Sequence, residues 1–150
     1  MDCEIFMQFT RIVRAMIKTL RVRLYPNEEQ QILLEKHFGA CRLVSNHFLE
    51  ASTKQYTESS SDRKKVLSAF DTMKMLMGLK REIIWLNEVN SQSLQHSLVE
   101  LDRAFKSFFK HYNRNPNFRS KKGNQYFIVP FGFKAEGNKL LLPKFGEGIR

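Results

Sequence analysis

The densest group of chemically capable side chains in this sequence is Asn117-Phe118-Arg119-Ser120-Lys121-Lys122-Gly123. Three cations with an interleaved aromatic, a hydroxyl and a glycine suit phosphate contacts. Phe118 and nearby Tyr126 could stack on bases or pack in a core. Such a run can equally be a solvated loop, and the surrounding charge decides between the two. Residues 106–150 carry ten basic and two acidic groups, a net of +8. Residues 1–25 carry five and two, a net of +3, whereas residues 26–105 carry ten and eleven, a net of −1. The total of +10 and the pI of 9.8 therefore come from the two ends of the chain. That distribution points to a polyanionic partner and not to a general solubilising charge. Arg42 and Asn46 stand four residues apart on one helical face, so both could address one groove or phosphate. A solvated Arg and a backbone-bonded Asn are equally open readings of that pair.

Catalytic groupings are missing from the sequence. Acid–base or metal-assisted cleavage would need carboxylates held together at a site. The C-terminal third offers only Glu136 and Glu147, each in a turn or loop. Glu82, Glu88, Glu100 and Asp102 lie among Lys and Arg and read as solvated helix faces. His37, His47, His96 and His111 have no Cys or His at ligand spacing, and Cys3 and Cys41 stand alone. There is no Gly-rich phosphate loop. The residues argue against an enzyme, a metal site and a cofactor. No apolar run approaches the length needed to cross a bilayer and no signal-peptide core is present, so a soluble cytoplasmic protein is expected.

The elements that must position the basic groups follow from periodicity. Leu20, Val22 and Leu24 alternate with Thr19, Arg21 and Arg23, which predicts a half-buried strand ending at Pro26. Asn27 and Gln30 form a capping-box pattern, with Glu28 and Glu29 in the first turn. The helix that follows has apolar residues at Ile32-Leu33-Leu34, Phe38, Cys41, Val44, Phe48 and Ala51. Gly39 leaves one long helix and a helix-turn-helix both open. A second helix is predicted from about Val66 to Leu79, facing inward with Val66, Phe70, Met73 and Met77. Ile84-Trp85-Leu86 reads as an apolar corner, with Trp85 in the core. A third helix, with Ser91 as a plausible N-cap, repeats Leu94, Leu98, Leu101, Phe105, Phe108 and Tyr112 at steps of three and four. After Asn115-Pro116, a strand is predicted over Tyr126–Val129. Gly137-Asn138 then reads as a two-residue hairpin turn before Leu140-Leu141-Leu142. The order of strand, helices, strands suggests an α+β fold in which the helices are inserted into one sheet.

Three segments resemble one family. The stretch from Ile17 to Leu49, with RLYPNEEQ, is similar to the opening of TnpB proteins, also called OrfB, the transposase-like proteins of insertion sequences. The stretch from Trp85 to Phe109, with SQSLQ and LDRAF, resembles their next signature. The third follows in PNFRSKK, YFIVP and LPKFG, so the blocks stand in family order over most of residues 16–146. The resemblance implies RNA-guided DNA endonucleases, whose N-terminal half is a wedge β-barrel with an inserted helical recognition lobe. Its first helices are often described as a helix-turn-helix.

Carried onto this chain, the resemblance implies a partial barrel from residues 16–25 plus 123–150, and a helical lobe over 26–122 that ends in the basic loop. Residues 1–15 would be an extension outside the fold. The family's RuvC-like carboxylates and zinc finger would follow residue 150. The expected protein is therefore a non-catalytic, truncated form that binds DNA and a structured guide RNA. Alternatives are one half of a split nuclease completed by a separate chain, and a remnant without function. If the strand at 18–25 lies beside those at 126–142, Arg21, Arg23, Arg119, Lys121, Lys122 and Lys144 would face one nucleic-acid backbone.

Overall fold

The computed structural model describes residues 22–59 and 65–150. The expectations placed on residues 1–21, Arg21 included, lie outside that range. Helix α1 spans Glu28–Glu58 and begins where the sequence places it. The Asn27 side chain accepts from the Gln30 amide at 2.8 Å, and the Gln30 side chain accepts from the Asn27 amide at 3.1 Å. Two of the donors that every helix start leaves unpaired are thereby satisfied. The helix then runs without a break through Gly39. Leu34, His37, Cys41, Val44 and Phe48 recur every three or four residues on its buried side, so burial continues across the glycine. Of the two arrangements left open, the single long helix is the one present. Ile32 lies off that side and is exposed.

A Cβ added at Gly39 would meet only the Arg42 guanidinium, 4.0 Å away. Gly39→Ala is therefore expected to raise stability by about 0.5–1 kcal/mol, read as a higher denaturant midpoint. A fall in the midpoint would mean that the chain turns at this position.

Helix α2 spans Ala69–Glu82 and starts later than predicted, because Ser68 and Asp71 form a second capping box. Its buried side is Thr72, Leu76 and Leu79. Of the predicted inward set, Val66 and Met73 are half-buried and pack against the core, whereas Phe70 and Met77 are exposed. Thr72 can be buried because its hydroxyl donates within the helix, to the Ser68 and Ala69 carbonyls at 3.1 and 3.0 Å. A 3-10 turn, Ile84–Glu88, follows. Leu86 alone of its apolar corner points inward. Ile84 is exposed, and Trp85, expected in the core, keeps 38% of its surface in solvent.

Helix α3, Ser91–Phe109, is capped by Asn90 one residue before the expected Ser91. Its Leu94, Leu98, Leu101 and Phe105 are buried as the repeat requires, and pack with Cys41, Val44 and Phe48 of α1 and Leu76 and Leu79 of α2. Phe108 is half-buried and Tyr112, beyond the helix, is exposed. His37 meets Asn90 near the start of α3, and Tyr56 meets Phe109 at its end with ring centroids 5.6 Å apart. The two helices therefore run in the same direction, and α2 makes the return crossing between them.

The C-terminal region is less regular than expected. Residues 126–129 belong to no ladder, and Phe127 and Val129 instead pack onto the helices and the small sheet. Strands β1 (Lys134–Glu136) and β2 (Lys139–Leu141) form the expected antiparallel hairpin, with Gly137 at φ 58° in its turn. Lys144 and Gly146 also take positive φ, 73° and 69°, and return the chain to β2. Ile149 then pairs with Leu140 through backbone bonds of 2.7 and 2.8 Å, and the Tyr25 amide donates to the Arg150 carbonyl at 2.5 Å. Leu24, Leu34, Leu140, Leu142, Phe145 and Ile149 close a second apolar cluster. The described residues thus form a mostly helical fold with a two-stranded sheet and one bridged segment.

Candidate nucleic-acid interface

Helices α1 and α3 form the floor beneath the basic loop. Asn46 holds the Arg119 peptide from both sides: its carboxamide accepts from the Arg119 N–H at 2.7 Å and donates to the Arg119 carbonyl at 3.0 Å. One turn earlier on α1, Arg42 donates to the Gln125 side-chain oxygen at 2.6 Å. The other end of that amide donates into the loop, with the carbonyls of Ser120, Lys121 and Gly123 at 2.8, 3.1 and 2.8 Å. The Gly123 amide donates to the Ser120 carbonyl and the Lys122 amide to the Ser120 hydroxyl. Residues 119–125 are therefore a fixed turn and not a loose solvated run. Its exposed tip carries Lys121 and Lys122.

Arg119 is placed differently from its neighbours. Its guanidinium donates to Glu100 of α3 at 3.2 Å and to the Tyr126 hydroxyl at 2.9 Å, and lies 4.8 Å from the Tyr126 ring centroid. Glu100, read from sequence as a solvated acid, is in fact the partner of this arginine. Burial raises the Tyr126 phenol above its usual range, with the neighbouring Arg119 charge opposing. Arg42 and Asn46 do share one helical face, but their described bonds go to the loop itself. Arg23 is exposed at the edge of the small sheet, next to buried Leu24. Lys144 is exposed on the turn that follows β2.

The structure brings these cations together in two places. The loop sits over Arg42 and Asn46. The small sheet sits nearer the start of α1, where Leu34 joins its apolar cluster and Gln30 donates weakly to the Glu147 and Gly148 carbonyls at 3.5 Å. Twelve residues of helix separate Gln30 from Arg42, about 18 Å along the axis.

Two buried groups beside this floor do not point to catalysis. Burial pushes the Cys41 thiol up to about 11, against a Ser97 hydrogen bond that favours the thiolate, so it is a poor nucleophile. His37 is 1% exposed and bonded at both nitrogens: Nδ1 lies 2.7 Å from the Leu33 carbonyl, and Nε2 faces the Asn90 amide at 3.2 Å. The carbonyl requires a proton on Nδ1 and the amide requires a lone pair on Nε2, so the ring is neutral. Burial lowers its pKa, with the Leu33 carbonyl opposing. Among the described residues, no three His, Cys, Asp or Glu side chains come together as metal ligands would, and no helix is long and apolar enough to cross a membrane. Sequence reasoning missed Gln125 and His37, because their partners lie 83 and 53 positions away.

A helix-turn-helix domain model of OrfB-type insertion-sequence proteins matches residues 16–61, which include the whole of α1. That description stands beside a single unbroken α1 in the structure. The chain is 30% identical over 134 residues to the "Putative RNA-guided DNA endonuclease InsQ" of Escherichia coli, a match covering 87% of this chain and 32% of that protein. It is 33% identical over 107 residues to a second protein of that description from Streptomyces pristinaespiralis, covering 70% and 26%. It thus spans about a third or less of the length of these relatives. It is also 31% identical over 115 residues to the "Virulence protein VsdF" of Salmonella dublin, covering 72% of this chain and 97% of that one. Together with the order of the sequence blocks, these matches show that the chain belongs to the TnpB/OrfB family of transposon-associated proteins.

Proposed function

We propose that these 150 residues bind nucleic acid, DNA and a structured guide RNA, without cutting it. The observation that carries this reading is the basic turn, pinned by Asn46 and Gln125, with Lys121 and Lys122 at its exposed tip. Ordering that turn before binding removes an entropy cost that a loose loop would meet on contact. Lys121 and Lys122 neutralise phosphates. Arg119, Arg42 and Asn46 hold the turn in place. Arg23 and Lys144 extend the same field from the small sheet, which in this reading is part of a wedge barrel; Arg21, outside the described residues, is assigned to the same binding set by its place in the sequence. The division into a barrel of 16–25 with 123–150 and a lobe of 26–122 belongs to the same proposal.

Cleavage, as named in the two long relatives, would belong to the part of their length that this chain does not match. A separate nuclease chain as partner is the second reading.

The test is the salt dependence of binding. Changing Lys121 and Lys122 together to Ala should flatten the slope of log K against log salt by about two units on duplex and slightly less on single strands. Circular dichroism should be unchanged, since both side chains are exposed. An unchanged slope would remove the loop from the interface.

A further inference from the structure

Phe118 is 63% exposed and immediately precedes the peptide that Asn46 grips at both its N–H and its carbonyl. A large apolar ring thus stands in water beside an anchored peptide. The side chain keeps only two torsions, so little rotamer entropy is lost when a second surface lies against it. The exposed lysines begin three residues later, and Tyr126, 45% exposed, carries the Arg119 guanidinium over its ring. Cations that track a phosphate backbone beside an open aromatic face are the components of a single-strand site. A duplex offers phosphates to the lysines but keeps the flat faces of its bases inside the stack, so nothing in it matches Phe118. An unpaired nucleotide offers both.

We propose that Phe118 is a stacking site for an unpaired base, so that the 118–122 turn takes single-stranded nucleic acid in preference to duplex. The proposal rests on the reading that this turn binds nucleic acid, and the experiment separates the two. The 150-residue chain would be titrated against a labelled oligo-dT strand and a blunt duplex of equal length, using the natural sequence, Phe118→Ala, Phe118→Trp and the Lys121→Ala/Lys122→Ala double variant. Phe118→Ala should weaken single-strand binding about 5- to 150-fold and leave the salt slope and duplex affinity unchanged. Phe118→Trp should restore binding, with indole fluorescence quenched by oligo-dT and not by duplex. Equal losses on both ligands, or no loss on oligo-dT, would overturn the stacking site. If the lysine variant still flattened the slope in that case, the turn would remain a phosphate site. An unchanged slope in the lysine variant would overturn phosphate binding by the turn, while a loss on oligo-dT alone in Phe118→Ala would still support stacking.

Discussion

His37→Ala is expected to destabilise the protein by about 3–5 kcal/mol, the range of a large buried ring truncated to Ala. The imidazole fills the space between the Phe127 and Phe145 rings, with centroids 5.0 and 4.9 Å away, and removing it opens a cavity there. It also leaves the buried Asn90 amide without its acceptor, beside the cap of α3. The same residue makes stability depend on pH. Its pKa in the folded protein lies below the ordinary 6.5, so between those two values the unfolded chain binds a proton that the folded one does not. The stabilisation is complete above about pH 6.5 and is lost as the pH falls through the folded pKa. Urea midpoints for the natural protein should fall between pH 7.5 and 5. In the His37→Ala variant that component should be missing. A pH profile that is parallel in the two proteins would show that the ring is not the neutral, doubly bonded group described above.

Asn46→Leu should cost about 2–4 kcal/mol, because the Arg119 N–H and carbonyl would both lose their partner in a part-buried setting. Released from α1, the turn would sample other conformations, and affinity for oligo-dT should fall about tenfold through lost preorganisation. The salt slope should stay the same, since both lysines keep their charge. Asn46→Asp keeps the acceptor for the amide but loses the donor to the carbonyl, so it should fall between the two. A loss of affinity in Asn46→Leu with stability untouched would mean that Asn46 faces the nucleic acid directly. That is one of the roles its spacing from Arg42 allows in the sequence.

The features legible in the sequence are those whose partners lie within a few residues. The Asn27–Gln30 capping box, the Leu94–Leu98–Leu101–Phe105 stripe and the Gly137-Asn138 turn each depend on a spacing of one to four residues, which fixes their geometry before any tertiary contact forms. The concentration of charge near Arg119, Lys121 and Lys122 was likewise plain. Burial decided the rest. Gly39 stays helical because Leu34, His37, Cys41, Val44 and Phe48 have apolar surface to meet along the whole of α1. Helix α2 turns Leu76 and Leu79 inward, and Phe70 outward, because one side must satisfy the surface left by α1 and α3. Residues 126–129 are strand-like in composition, but a strand needs a neighbour, and the described chain supplies packing there without a ladder. The role of Asn46 turned on Arg119, 73 positions away, and that of Gln125 on Arg42. A long side chain on a helix face can donate to solvent, to phosphate or to its own fold with similar local geometry. Only the packed loop lying above it determines which bond it makes.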